Sequence, residues 1–130
     1  MAHPNEELVR EILAAFSRGD TDALRNQYFT DDIRFHVPGR GALAGDHEGV
    51  AQVLGFFGRT FELSGGTFRT ETHDVLANDE HAVVLYTGRA ERAGKHWEDN
   101  VVLVIHIRDG KQAEVWVYPA DQYSWDEFWS

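Results

Sequence analysis

The stretch from Trp97 to Tyr118 limits what this chain can fold into. Residues 101–107 read Val-Val-Leu-Val-Ile-His-Ile, a β-branched run free of Gly and Pro that suits a pleated strand. Asp109-Gly110 follows, and supplies the positive φ angles of a tight hairpin turn, so the chain doubles back into residues 112–119. Both alternating faces of this hairpin are apolar. Val101, Leu103, Ile105 and Ile107 share one face, while Val102 and Val104 share the other. An antiparallel strand with one wet face alternates apolar with polar residues, so this hairpin is expected to be covered on both sides. The chain's own helices can cover one side. The other calls for a partner, most simply a second copy.

The remaining pattern supplies those helices. Asn5-Glu6-Glu7 resembles a helix start, and Leu8, Ile12 and Ala15, with Val9, Leu13 and Phe16, recur at helical spacing until Gly19. Thr21 caps a second, short helix with Tyr28-Phe29 on its apolar face, and Ile33–Val37 forms a short strand ended by Pro38-Gly39. Residues 39–48 read as a loop. A third helix spans 49–61, burying Val50, Val53, Leu54, Phe57 and Phe61, and Gly65-Gly66 ends it. Four strands follow at about 67–77, 81–91, 96–107 and 112–119, before an aromatic tail that forms a last helical turn. Helices followed by a meander predict one α+β domain over residues 1–130, with three helices packed on a curved, mainly antiparallel sheet. An apolar pocket between the two layers is the natural ligand site.

Composition excludes several classes. A formal charge of -10 disfavours nucleic acid and anionic membrane as partners. No apolar run approaches the ~20 residues of a membrane span. With no cysteine and no secretory pattern at Met-Ala-His-Pro-Asn-Glu-Glu, a cytoplasmic location is expected. No His-Glu-x-x-His, calcium-loop or nucleotide-binding spacing occurs, so neither a metal nor a cofactor is expected.

The element order, with His36-Val37-Pro38-Gly39, Gly45-Asp-His-Glu-Gly49, His73-Asp74-Val75-Leu76-Ala77-Asn78-Asp79 and Arg108-Asp109-Gly110-Lys111, resembles the SnoaL-like, ketosteroid-isomerase-related proteins of the nuclear-transport-factor-2-like superfamily. That resemblance implies an α+β cone around a deep apolar pocket. In the steroid isomerases, an aspartate base faces an oxyanion hole. The matching positions here are Val37 for the base, Ile12 and Ile105 for the oxyanion donors, and Phe29 and Phe57 for the supporting tyrosines. The SnoaL-type cyclases place an aspartate after a tryptophan in the last strand, where this chain has Val117 after Trp116. The known catalytic sets are therefore replaced by apolar residues.

Strand parity selects what chemistry is left. If Ile105 faces the pocket, so do Leu103, Val101, Asp99 and Trp97, with Val115 and Val117 opposite. Asp99, Asp121 and His36 are the candidates for proton transfer, because a carboxylate desolvated at a pocket mouth or an imidazole can titrate near working pH. The competing reading leaves the two carboxylates at solvent-exposed strand ends, and turns His36 away from the pocket. Phe16, Phe35, Val37, Phe57, Trp97, Leu103, Ile105, Val115 and Val117 are expected to line the pocket, among aromatics that also include Phe29, Phe61 and Tyr86. Trp116 and Tyr118 have the opposite parity and suit a homodimer face. Two functions stay open: a small apolar or aromatic molecule is bound with isomerase- or cyclase-type acid–base chemistry, or it is bound without any reaction.

Overall fold

The computed structural model describes residues 2–130. Helix α1 (Pro4–Ser17) begins at His3, whose Nδ1 accepts a hydrogen bond from the Asn5 N–H, and buries Val9, Ile12 and Ala15. A fully buried Val or Ile side chain contributes about 1.5–3 kcal/mol, which is what holds an amphipathic helix to a sheet. Helix α2 (Thr21–Ala23) is capped by the Asp20 carboxylate and runs into a π-helical turn, Leu24–Tyr28. The wide turn ends the expected second helix early. Strand β1 therefore starts at Phe29 and extends to Val37, longer than the Ile33–Val37 segment expected.

The segment 39–48 is not all loop. Residues Gly45–Glu48 form strand β2, paired antiparallel with β1 through Arg34–Glu48 to Val37–Gly45. Helix α3 (Val50–Leu63) follows, and then strands β3 (Arg69–Ala77), β4 (His81–Arg92), β5 (Lys95–Arg108) and β6 (Lys111–Pro119). Helix α4 (Gln122–Phe128) ends the chain. The six strands form one sheet in the order β2-β1-β6-β5-β4-β3. Every pairing is antiparallel except β1 with β6, which run parallel. The sheet is curved and unclosed, and α1 and α3 cover its concave face, so the α+β cone is present. Among the described residues, no helix is long and apolar enough to cross a membrane.

Two ladders carry the core. Val84, Leu103 and Val117 lie side by side across β4, β5 and β6, and Ala82, Ile105 and Val115 form the next inward row. The turn at Asp109-Gly110 has positive φ at both residues (54° and 73°), the geometry that lets a right-twisted hairpin close in two residues. At one end of the cone, α4 packs Trp125 and Phe128 on Trp97, and Trp129 just after the helix is buried against Trp125 and Phe128. Trp97 fits there because its partner across β4–β5 is close to Gly88: a Cβ at Gly88 would lie 2.6 and 2.7 Å from the Trp97 ring.

Gly88→Ala should therefore lower the free energy of unfolding by about 1–3 kcal/mol through overpacking. Urea melts read this directly. An unchanged midpoint would mean that the indole can shift without cost.

Candidate functional site

Between the helices and the sheet lies a cavity of about 90 Å³. Helix α1 supplies Ile12, Leu13 and Phe16, and α3 supplies Phe56, Phe57 and Thr60. The sheet side consists of Phe29, Phe35, Thr70, Tyr86, Leu103, Gln112, Val115 and Val117, with Phe68 from the approach to β3 and Trp125 from α4. The Phe57 ring meets Phe16 and Phe35 edge-on, at centroid distances of 5.0 and 5.4 Å. Edge-to-face packing is favourable for rings but leaves gaps in a concave space, and that is why the cone stays partly open.

The polar atoms of this wall divide into two kinds. The Thr60 hydroxyl donates to the Phe56 carbonyl at 2.9 Å within its own helix, so it is already satisfied. Tyr86 is 7% and Gln112 4% exposed; their side chains and the Thr70 hydroxyl have no hydrogen-bond partner among the described residues, and the Trp125 Nε1–H is buried without one. Burial pushes the Tyr86 hydroxyl well above the ordinary range, and the Asp99 carboxylate adds to that rise, so the phenol stays protonated. Tyr86 is also the one titratable side chain in the lining.

A SnoaL-like domain is matched over residues 9–115. The chain belongs to the SnoaL-like family. An uncharacterized protein of Mycobacterium tuberculosis is 35% identical to it over 125 residues, 95% of each chain. Bal32a, from a soil-derived mobile gene cassette, superposes with a TM-score of 0.93 at 35% identity, covering 97% of this chain and 96% of Bal32a. A protein of unknown function with a cystatin-like fold from Xanthomonas campestris gives 0.88 at 28% identity, over 95% and 96%. TerC shares the fold at 21% identity, with a TM-score of 0.82 over 97% and 98%.

The three residues expected to transfer protons do not line the cavity. The Asp99 Oδ2 accepts the Asp121 N–H at 2.9 Å and its Oδ1 the Asn100 N–H at 2.9 Å. Asp121 is the N-cap of α4, accepting from Tyr123 N–H and Ser124 N–H at 3.1 and 3.2 Å. The free backbone donors of a helix start are the strongest local partners for such a carboxylate, and they have taken both residues. His36 points to the opposite, convex face of the sheet. Three expected wall residues also lie outside the cavity. Trp97 is packed beneath α4, Val37 sits opposite Gly45 where β2 covers it, and Ile105 faces inward but is sealed at 1% exposure. The lining does contain Phe16, Phe35, Phe57, Leu103, Val115 and Val117.

Gln112 escapes a reading by parity because of a bulge. Glu114 pairs with His106 but Gln112 pairs with Ile107, so Ala113 is an extra residue and the alternation restarts. Strict alternation from Val115 would have turned Gln112 outward. A polar residue immediately after the hairpin turn gives no local sign of the bulge.

On the convex face His36 is held between two carboxylates. Its Nδ1 lies 2.7 Å from Asp46 of β2 and its Nε2 2.6 Å from Glu114 of β6, and its ring stacks on Trp116 at 5.5 Å. Desolvation lowers the imidazole pKa, but the hydrogen bonds to Asp46 and Glu114 outweigh it, and the net shift is upward. A raised folded-state value means that the imidazolium stabilises the fold at and below the ordinary value of about 6.5, and that this contribution is lost as pH rises through the folded value. In urea melts from pH 5 to 9, the stability difference between wild type and His36→Gln should be largest near pH 5–6 and shrink above. A pH-independent difference would show that only neutral hydrogen bonds join the three strands.

Proposed function

We propose that this protein binds a small, planar, largely apolar molecule in the cavity between α1, α3 and the sheet, and that it does so without acid–base turnover. One observation carries the reading: the cavity wall is aromatic and aliphatic, and the side chains suited to proton transfer are engaged outside it. A general acid or base has to reach the reacting atom within hydrogen-bond distance, directly or through one water. Asp99, Asp121 and His36 are each committed to other partners. The protonated Tyr86 hydroxyl can donate a hydrogen bond, and the Asp99 carboxylate whose charge acts on it is itself held by the Asn100 and Asp121 N–H groups. The co-crystallization of TerC with polyporic acid supports a small-molecule role for the fold.

Toluene is a suitable first probe, because a cavity of about 90 Å³ is small for a ligand of more than one ring. Titration followed by NMR should give saturable binding with shifts at Phe57, Leu103 and Val115. Leu103→Trp, which fills the space, should abolish those shifts while the protein still melts cooperatively. Binding that survives the filled cavity would place the site elsewhere and sink the proposal.

The protein is also proposed to be a homodimer through its convex face. Val83 pairs with Val104 and Val104 with Trp116, while Leu85 pairs with Val102 and Val102 with Tyr118, so these side chains form one outward apolar patch. Tyr118 is 52% exposed. A patch of this composition suits an isologous interface. Sedimentation velocity should show a dimer for wild type and a monomer for Val104→Glu, which puts a charge at the patch centre. A monomeric wild type at all concentrations would rule the interface out.

A further inference from the structure

The wall of the cavity contains an amide with no structural duty. Gln112 is 4% exposed, lies on the cavity surface, and has no hydrogen-bond partner among the described residues. An amide set in an apolar wall without a protein partner can be satisfied only by water or by a ligand. The bulge at Ala113 turns this side chain inward, and bulges re-aim side chains at binding sites more often than in plain ladder. Its neighbours define a half-site. Gln112 pairs with Phe29 across β1–β6, the Phe29 ring lies 6.0 Å from Phe57, and Val115 follows on the same strand. All of these line the cavity.

Other polar groups of the wall also lack a partner, the Trp125 Nε1–H and the Thr70 and Tyr86 hydroxyls. Tyr86 is opposite Val101 and Gln112 opposite Ile107, six residues apart on β5. That is about 20 Å of extended strand. Their backbones are therefore well separated, and the Gln112 end is the one beside Phe29, its partner across β1–β6. The Tyr86 hydroxyl donates and accepts at one atom, whereas the amide donates through Nε2 and accepts through Oε1, two separate atoms that match either a carbonyl or a hydroxyl.

Resting on the binding function proposed above, we propose that Gln112 is the specificity-determining residue of the cavity, and that the ligand is a single planar ring bearing one oxygen function, hydroxyl or carbonyl. The ring lies among Phe29, Phe57 and Val115, and the oxygen is held by the Gln112 amide. A site built this way discriminates against the analogue lacking the oxygen, because binding that analogue leaves the amide unpaired.

The test compares toluene with 4-methylphenol, which differ by one hydroxyl, on wild type, Gln112→Leu and Tyr86→Phe by calorimetric or NMR titration. Wild type should bind 4-methylphenol roughly 10-fold tighter than toluene. In Gln112→Leu the order should reverse, since the phenol then loses its water and gains nothing, and toluene should bind at least as well as before. Tyr86→Phe should keep the wild-type preference. Thermal melting serves as the folding control. Equal affinity of wild type for both probes, or a preference that persists in Gln112→Leu, or one that disappears only in Tyr86→Phe, would each overturn the assignment to Gln112 while leaving the cavity as a binding site. Failure of toluene itself to bind would instead overturn the binding function on which this rests.

Discussion

The structure depends on a strand that is apolar on both faces. Strand β5 sends Val101, Leu103, Ile105 and Ile107 inward and Val102 and Val104 outward, and its neighbours β4 and β6 repeat the pattern in register. The inward rows can leave water only if helices cross over them, and α1 and α3 do so with aromatic side chains. Rings packed edge to face cannot fill the concavity of a curved sheet as aliphatic chains would. The gap that remains is the cavity. Site and core are thus one object, and the wall of the site is stabilised by the same burial that folds the chain.

The end of the cone beneath α4 is closed by charge and amide chemistry instead. Helix α4 is short and could not hold itself in place. Asp121 caps it, Asp99 holds the Asp121 N–H, the Arg92 guanidinium donates to the carbonyls of Phe128 and Ser130, and the Lys95 ammonium donates to that of Glu127. These contacts press Trp125 and Trp129 against the aromatic layer that also includes Trp97 and Phe68. Carboxylates near a cavity mouth read readily as catalysts, but the unpaired N–H groups of a helix start are nearer and are equally good partners. This competition is local, and here the backbone wins it.

A separation of polarity between the two faces follows. The ion-paired groups, including His36 with Asp46 and Glu114, lie on the convex side or at the rims. The cavity wall keeps only neutral polar groups, a phenol, an amide, an indole N–H and two threonines. A neutral, low-dielectric chamber recognises shape and single hydrogen bonds strongly and moves protons poorly. The replacement of the steroid-isomerase polar set by Val37, Ile12, Ile105, Phe29 and Phe57 is consistent with that division.

Local pattern determined much of this protein. The period-two run of β5, the Asp109-Gly110 turn and the helical stripe of α1 each specify their element through neighbouring residues, and together they determine the α+β class and the inward parity of Leu103, Val115 and Val117. Only the tertiary structure decided the rest. Strand β2 exists because β1 offers an open edge, not because Gly45–Glu48 has a strand's composition. The fates of Asp99 and Asp121 depend on where the start of α4 falls in space. Gln112 turns inward because β6 has to gain a residue against β5, and a bulge arises from the match between two strands, which neither contains alone. The apolar wall can be read along the chain, while the polar atom set into it is placed by pairing between distant segments.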